Sequence, residues 1–133
     1  MIALDTNVVV RLVTNDDEAQ ARAAERVLIR ARRDDTPVFI ADIVLCEVAW
    51  VLRARYRLSR ADIAGALDGL LRTELIVVRD AAHVDKALAA FRTGPGDFAD
   101  YLIREQAAGM GASAVVTLDR RLNGEASFRF IGP

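Results

Sequence analysis

An α/β domain with a mainly parallel sheet and helices on both faces is the fold class that this chain of 133 residues predicts. Three observations carry the prediction. Short apolar runs of strand length alternate with longer amphipathic stretches along the chain. Most of those stretches open on Asp, Asn or Ser, the residues that cap helices. The chain is long enough for one full hydrophobic core and contains no linker, repeat or low-complexity segment, so a single domain over 1–133 is expected.

The elements follow in order. Ile2 to Leu4 is an apolar run ending at Asp5, which fits a buried strand. After a brief apolar segment from Val8 to Val13, the polar group Asn15, Asp16, Asp17 and Glu18 opens a helix that reaches the arginines near residue 33. Pro37 to Ala41 reads as a second strand and Asp42 as the cap of the helix after it. Ser59 with Asp62 resembles a capping box and starts a helix to about Arg72. Leu75 to Val78 is a third strand, and Asp80 caps a helix through Phe91. Thr93, Gly94, Pro95 and Gly96 form the clearest loop. Phe98 to about Ala108 reads as a helix ended by Gly109 and Gly111. Ala114 to Leu118 is a strand, and Phe128 to Ile131 a candidate last one.

Composition narrows the class. Hydrophobic residues make up 53% of the chain, above the roughly 45 to 50% usual for soluble domains, which leaves apolar surface for a partner. No stretch has the length of a membrane span and no leader pattern opens the chain, so a cytoplasmic location is expected. The net charge of −1 argues against a broad electrostatic grip on nucleic acid but not against a local one. Arginine clusters at Arg30, Arg32 and Arg33, at Arg53, Arg55, Arg57 and Arg60, and at Arg120 and Arg121 read first as solvated helix surface. Cys46, the single cysteine, is expected to pack as a small hydrophobe.

Four acidic residues stand out: Asp5, Glu47, Asp100 and Asp119. Asp5 follows the first strand, Asp119 the fourth, Asp100 lies in the first turn of the helix feeding that strand, and Glu47 lies on the second turn of the helix after strand two. In an open parallel sheet, ligands bind at the carboxyl ends of the strands. Glu47 is the only charge in the run Ile43 to Leu52, and a buried carboxylate without a partner is costly. A carboxylate set with no His or Cys pattern makes an all-oxygen site suited to Mg²⁺ or Mn²⁺. Phosphodiester hydrolysis is the reaction class that follows.

In order and spacing, the segments Leu4-Asp5-Thr6-Asn7, Ala41 to Leu52 with Glu47, Asp97-Phe98-Ala99-Asp100-Tyr101-Leu102-Ile103 and Val116-Thr117-Leu118-Asp119 resemble the PIN-domain ribonucleases, most closely the VapC toxins of toxin-antitoxin pairs. The resemblance implies a PIN-like three-layer domain whose central sheet is flanked by helices. It implies that Asp5 and Asp100 ligate Mg²⁺ (or Mn²⁺), that Glu47 and Asp119 complete the catalytic acidic pocket as further metal ligands, and that RNA is the substrate. Thr6, Asn7 and Thr117 would orient the carboxylates through hydrogen bonds, with Asp97 either joining them or serving only as a helix cap. A cognate antitoxin is the implied protein partner, with Val8, Leu12, Trp50 and Val51 as the candidate contact patch; a homodimer is left open.

Plainer readings stand beside these. Asp97 and Asp100 suit the start of a helix, and Asp5 and Asp119 suit turns that close strands. His83, the lone histidine, reads as a surface residue, and Trp50 as core or interface filler. A haloacid-dehalogenase-like phosphatase would use Asp5 as nucleophile, but it needs an Asp where this chain has Asn7, and its lysine would have to be Lys86. A catalytically silent binding module is the non-enzymatic alternative.

Overall fold

The computed structural model describes residues 1–133, which divide into two compact units, Met1–Arg79 and Asp80–Pro133. The first contains β1 (Ile2–Ala3), α1 (Thr6–Val13), α2 (Glu18–Arg33), β2 (Val38–Phe39), α3 (Asp42–Ala54), α4 (Arg60–Leu71) and β3 (Ile76–Val77). Its strands form a parallel sheet in the order β1-β2-β3, with Ile2 opposite Val38 and Val38 opposite Ile76. Because the neighbours are parallel, each returns through helices, and the carboxyl ends of all three share one edge. The expected mainly parallel α/β class is observed.

Helix starts are set by side-chain caps. Asp5 accepts the Val8 N–H, Asp17 that of Gln20 and Ser59 that of Asp62, at 3.0 to 3.1 Å. The run Val8 to Val13 is therefore not a loose segment but the body of α1, started by Asp5. For α3 the cap position is Ala41, without a side-chain bond, and Asp42 sits in the first turn, where its charge meets the helix dipole. Arg30, Arg32 and Arg33 fall in the last turn of α2, where the dipole favours cations.

The core of this unit holds Val9, Val38, Ile40, Leu45, Val48, Leu52, Ile63 and Leu67, each nearly or fully buried. At its surface a polar clamp ties α1 to the turns beyond α1 and α3. Asp16 accepts from Tyr56 Oη at 2.6 Å, Arg11 Nη1 at 2.9 Å and Thr14 Oγ1 at 3.1 Å. The Tyr56 hydroxyl, more than any other group, holds the Asp16 carboxyl below its ordinary value.

The second unit contains α5 (Ala81–Thr93), α6 (Phe98–Gly109), β4 (Val115–Thr117), a 3₁₀ turn (Arg120–Leu122) and β5 (Phe128–Phe130). β4 and β5 are parallel, with Val116 opposite Arg129. Asp80 caps α5 through the His83 N–H at 3.0 Å. Phe91 and Phe98 meet edge to face at 6.3 Å across the α5–α6 turn, and Tyr101 meets Phe128 the same way at 6.2 Å. No helix is long and apolar enough to cross a membrane.

Candidate metal centre

In the first unit, Asp5 follows β1 by two residues and caps α1, and Glu47 lies on α3, which follows β2, so both belong to elements leaving the carboxyl edge of the sheet. Asp5 spends one carboxylate oxygen on the cap of α1. Glu47 corrects an expectation: it is exposed, not buried. Val44, Leu45, Val48, Ala49 and Leu52 make up the buried side of α3, while Ile43, Glu47 and Trp50 share its open face, Trp50 at 59% exposure. The apolar run around Glu47 therefore reflects helix burial on one side plus an apolar outer stripe, and desolvation does not single Glu47 out. Thr6 opens α1, and Asn7 lines a cleft of about 270 Å³ between α1 and α2 with Val8, Arg11, Gln20, Ala24 and Val27.

The second unit brings three carboxylates together. Asp97 is the cap residue of α6 and Asp100 its third residue, so they stand one turn apart, and Asp100 Oδ2 accepts the Asp97 N–H at 2.8 Å. Asp119 follows β4 by two residues, its own N–H held by Thr117 Oγ1 at 3.0 Å. Arg121 joins the three. Its Nη2 lies 2.6 Å from Asp119 Oδ2, 3.4 Å from Asp97 Oδ2 and 3.9 Å from Asp100 Oδ2. The three acids are 25 to 35% exposed, so the cluster opens to solution.

Their electrostatics differ. Burial pushes the Asp100 carboxyl above its ordinary value, and the charges of Asp97 and Asp119 add to the shift, against the opposing pull of the Asp97 N–H and Arg121. Asp119 is held low by the Arg121 hydrogen bonds, and the same bonds, with those to Asp97, raise Arg121 further. Neither unit by itself gathers three acidic, His or Cys side chains in a geometry already set to ligate a metal. As donors, however, the three carboxylates fit a divalent cation: hard oxygens, open to water, grouped round one positive charge.

Behind the cluster lies a support that sequence reading missed. Tyr101 is fully buried; its Oη accepts the Gly96 N–H at 3.1 Å and donates to Glu125 Oε1 at 2.7 Å. A Cβ on Gly94 would sit 1.9 Å from Tyr101 Oη, and one on Gly96 2.8 Å from Leu122 Cδ2, so both glycines permit close approach. Arg104 stacks on Tyr101 at 5.0 Å and on Phe128 at 5.7 Å. The loop that delivers Asp97 is thus pinned from below. His83 is only half-exposed, with Nδ1 3.3 Å from Asp80 and its ring beside Gly109, away from these acids in the fold of α5 against α6.

A family model described as PIN domain matches residues 2–124, running through both units. The chain belongs to the PIN-domain family. For this PIN domain, the family match sets aside the phosphatase alternative, in which Asp5 would be a nucleophile. No curated protein matches the chain. Among solved structures, the PIN domain is similar to the crystal structure of Mycobacterium tuberculosis VapC20, described as a sarcin-ricin loop cleaving toxin, at 18% identity over 100% of both chains and a TM-score of 0.40.

Proposed function

We propose that this PIN domain is a metal-dependent endoribonuclease acting as the toxin of a toxin-antitoxin pair. The observation that carries the reading is the convergence of Asp97, Asp100 and Asp119 on a single cationic group, in a member of this family. Asp100 and Asp119 would hold Mg²⁺ or Mn²⁺, and the family resemblance adds Asp5 and Glu47 as further ligands. The bound cation would supply charge neutralisation at the phosphodiester and a water of lowered pKa. Asp97 keeps the α6 start in place, and Thr117 fixes the backbone of Asp119. Because the family match runs through both units, we take 1–133 as one functional domain.

Purified chain incubated with RNA and Mg²⁺ or Mn²⁺ should give fragments with 5′-phosphate and 3′-hydroxyl ends. Products ending in 2′,3′-cyclic phosphate, or undiminished cleavage in excess chelator, would falsify the mechanism. The toxin role calls for an antitoxin whose apolar side chains lodge on the first unit, where Val8 contributes both to the expected patch and to the α1–α2 cleft. Co-expression with the neighbouring reading frame should yield a stable complex without nuclease activity. A chain harmless to its host and without such a partner sinks the toxin role alone.

A further inference from the structure

Arg121 stands where a cation at the acidic cluster would stand. One of its nitrogens is within 3.9 Å of all three carboxylates, and its Nε and main-chain N–H both bind Asp119, at 3.0 to 3.1 Å. A guanidinium and a divalent cation repel at such range and compete for the same carboxylates. We propose that Arg121 is a built-in competitor for the metal, holding the three carboxylates together in the metal-free protein and swinging into solvent when a divalent cation binds. The proposal rests on the nuclease reading only in expecting this cluster to take metal.

The side chain is built to leave. It is 44% exposed and springs from a short 3₁₀ turn, and its two bonds to Asp97 are long, at 3.4 Å each. The neighbouring Arg120 does not duplicate it: that guanidinium lies over Phe130 at 5.1 Å and bonds the Pro133 carbonyl. Arg121 also alters what metal loss does to the protein. With its charge in place, the carboxylates are partly neutralised even without metal, so metal-free protein is spared the full repulsion that the acids alone would exert.

The test is titration of Mn²⁺ into the metal-free full chain by calorimetry, for wild type, Arg121→Gln and Arg121→Lys. Arg121→Gln should tighten Mn²⁺ binding about tenfold, the size of one charge repulsion removed near solvent. Arg121→Lys, which keeps the charge but loses the planar fork, should fall between. Equal or weaker binding by Arg121→Gln overturns the proposal. Should that variant not fold, nuclear magnetic resonance of wild type decides: the Arg121 Nε–H signal should shift on Mg²⁺ addition in step with the Asp100 amide. If the amide saturates while the Nε–H signal stays put, the proposal is wrong although the metal site is real. If no metal binds any form, the proposal and the nuclease reading fall together. Tightened binding by Arg121→Gln without RNA cleavage by wild type would leave the competitor role standing and remove the nuclease.

Discussion

Tyr101→Phe removes one oxygen and keeps the ring, so its effect isolates the hydroxyl that pins the loop before α6. The Gly96 N–H, in a buried residue, loses its acceptor at 3.1 Å, a loss worth about 1 to 3 kcal/mol. The bond to Glu125 adds less, because Glu125 keeps access to water that replaces the donor. Edge-to-face packing on Phe128 and the Arg104 stack survive, since both involve the ring. The expected total is about 2 kcal/mol, or roughly 7 °C in melting temperature for a chain of this length. Urea unfolding at neutral pH measures it, with Glu125→Gln as the control expected to cost under about 0.5 kcal/mol. A loss below about 0.5 kcal/mol in Tyr101→Phe, or an equal loss in Glu125→Gln, refutes the argument that the buried N–H dominates.

Asp100→Asn should abolish RNA cleavage yet leave the metal-free protein as stable as wild type or more so. The folded state raises the Asp100 pKa, so its ionised form costs stability, a cost that appears as pH rises from about 4 and is complete above the folded value. Urea melts across that window should show the variant gaining on wild type with rising pH; the opposite slope refutes the assignment. Mg²⁺ at about ten times its dissociation constant should add about 1.4 kcal/mol by mass action, read as a shift in the urea midpoint, and no shift would exclude a native metal site. On α3, Leu52→Ala should cost about 2 to 5 kcal/mol, while Trp50→Ala, on the open face, should stay within about 1 kcal/mol. Similar losses for both would mean that the exposed stripe is structural.

Much of the architecture was readable because caps and alternation are local. Ser59 and Asp80 announce helices three residues ahead of their bonds, and the structure uses both as caps. Asp5 carries the same signal, but after an apolar strand it reads as a strand-closing turn residue or a metal ligand, and neither reading announces α1. Strands came out shorter than read, two residues at Val38–Phe39 where Pro37 to Ala41 was expected, since apolar residues flanking a strand end also serve the core. Glu47 misled because an uninterrupted apolar run looks buried on all sides, whereas α3 exposes one stripe. Arg121 reads as solvated surface and is exposed, but its partners include Asp97, 24 residues away, and no local pattern encodes that encounter. Tyr101 likewise gave no sign that its hydroxyl would hold Gly96 and Glu125 at once. The clue within reach was the Asp119-Arg120-Arg121 triplet at the end of a strand.

The division at residue 79 bears on when the protein acquires its chemistry. Every strand of the first sheet comes from residues 2 to 77, so that unit has its whole sheet once the ribosome has released it, and chains fold from the N-terminus as they emerge. Asp97, Asp100, Asp119 and Arg121 all emerge later. A nascent or prematurely terminated chain can carry a finished first sheet and still lack every residue of the acidic cluster. On the proposed reading, a broken message or stalled ribosome would leave a fragment without the acidic cluster, and nuclease activity would require synthesis past Arg121.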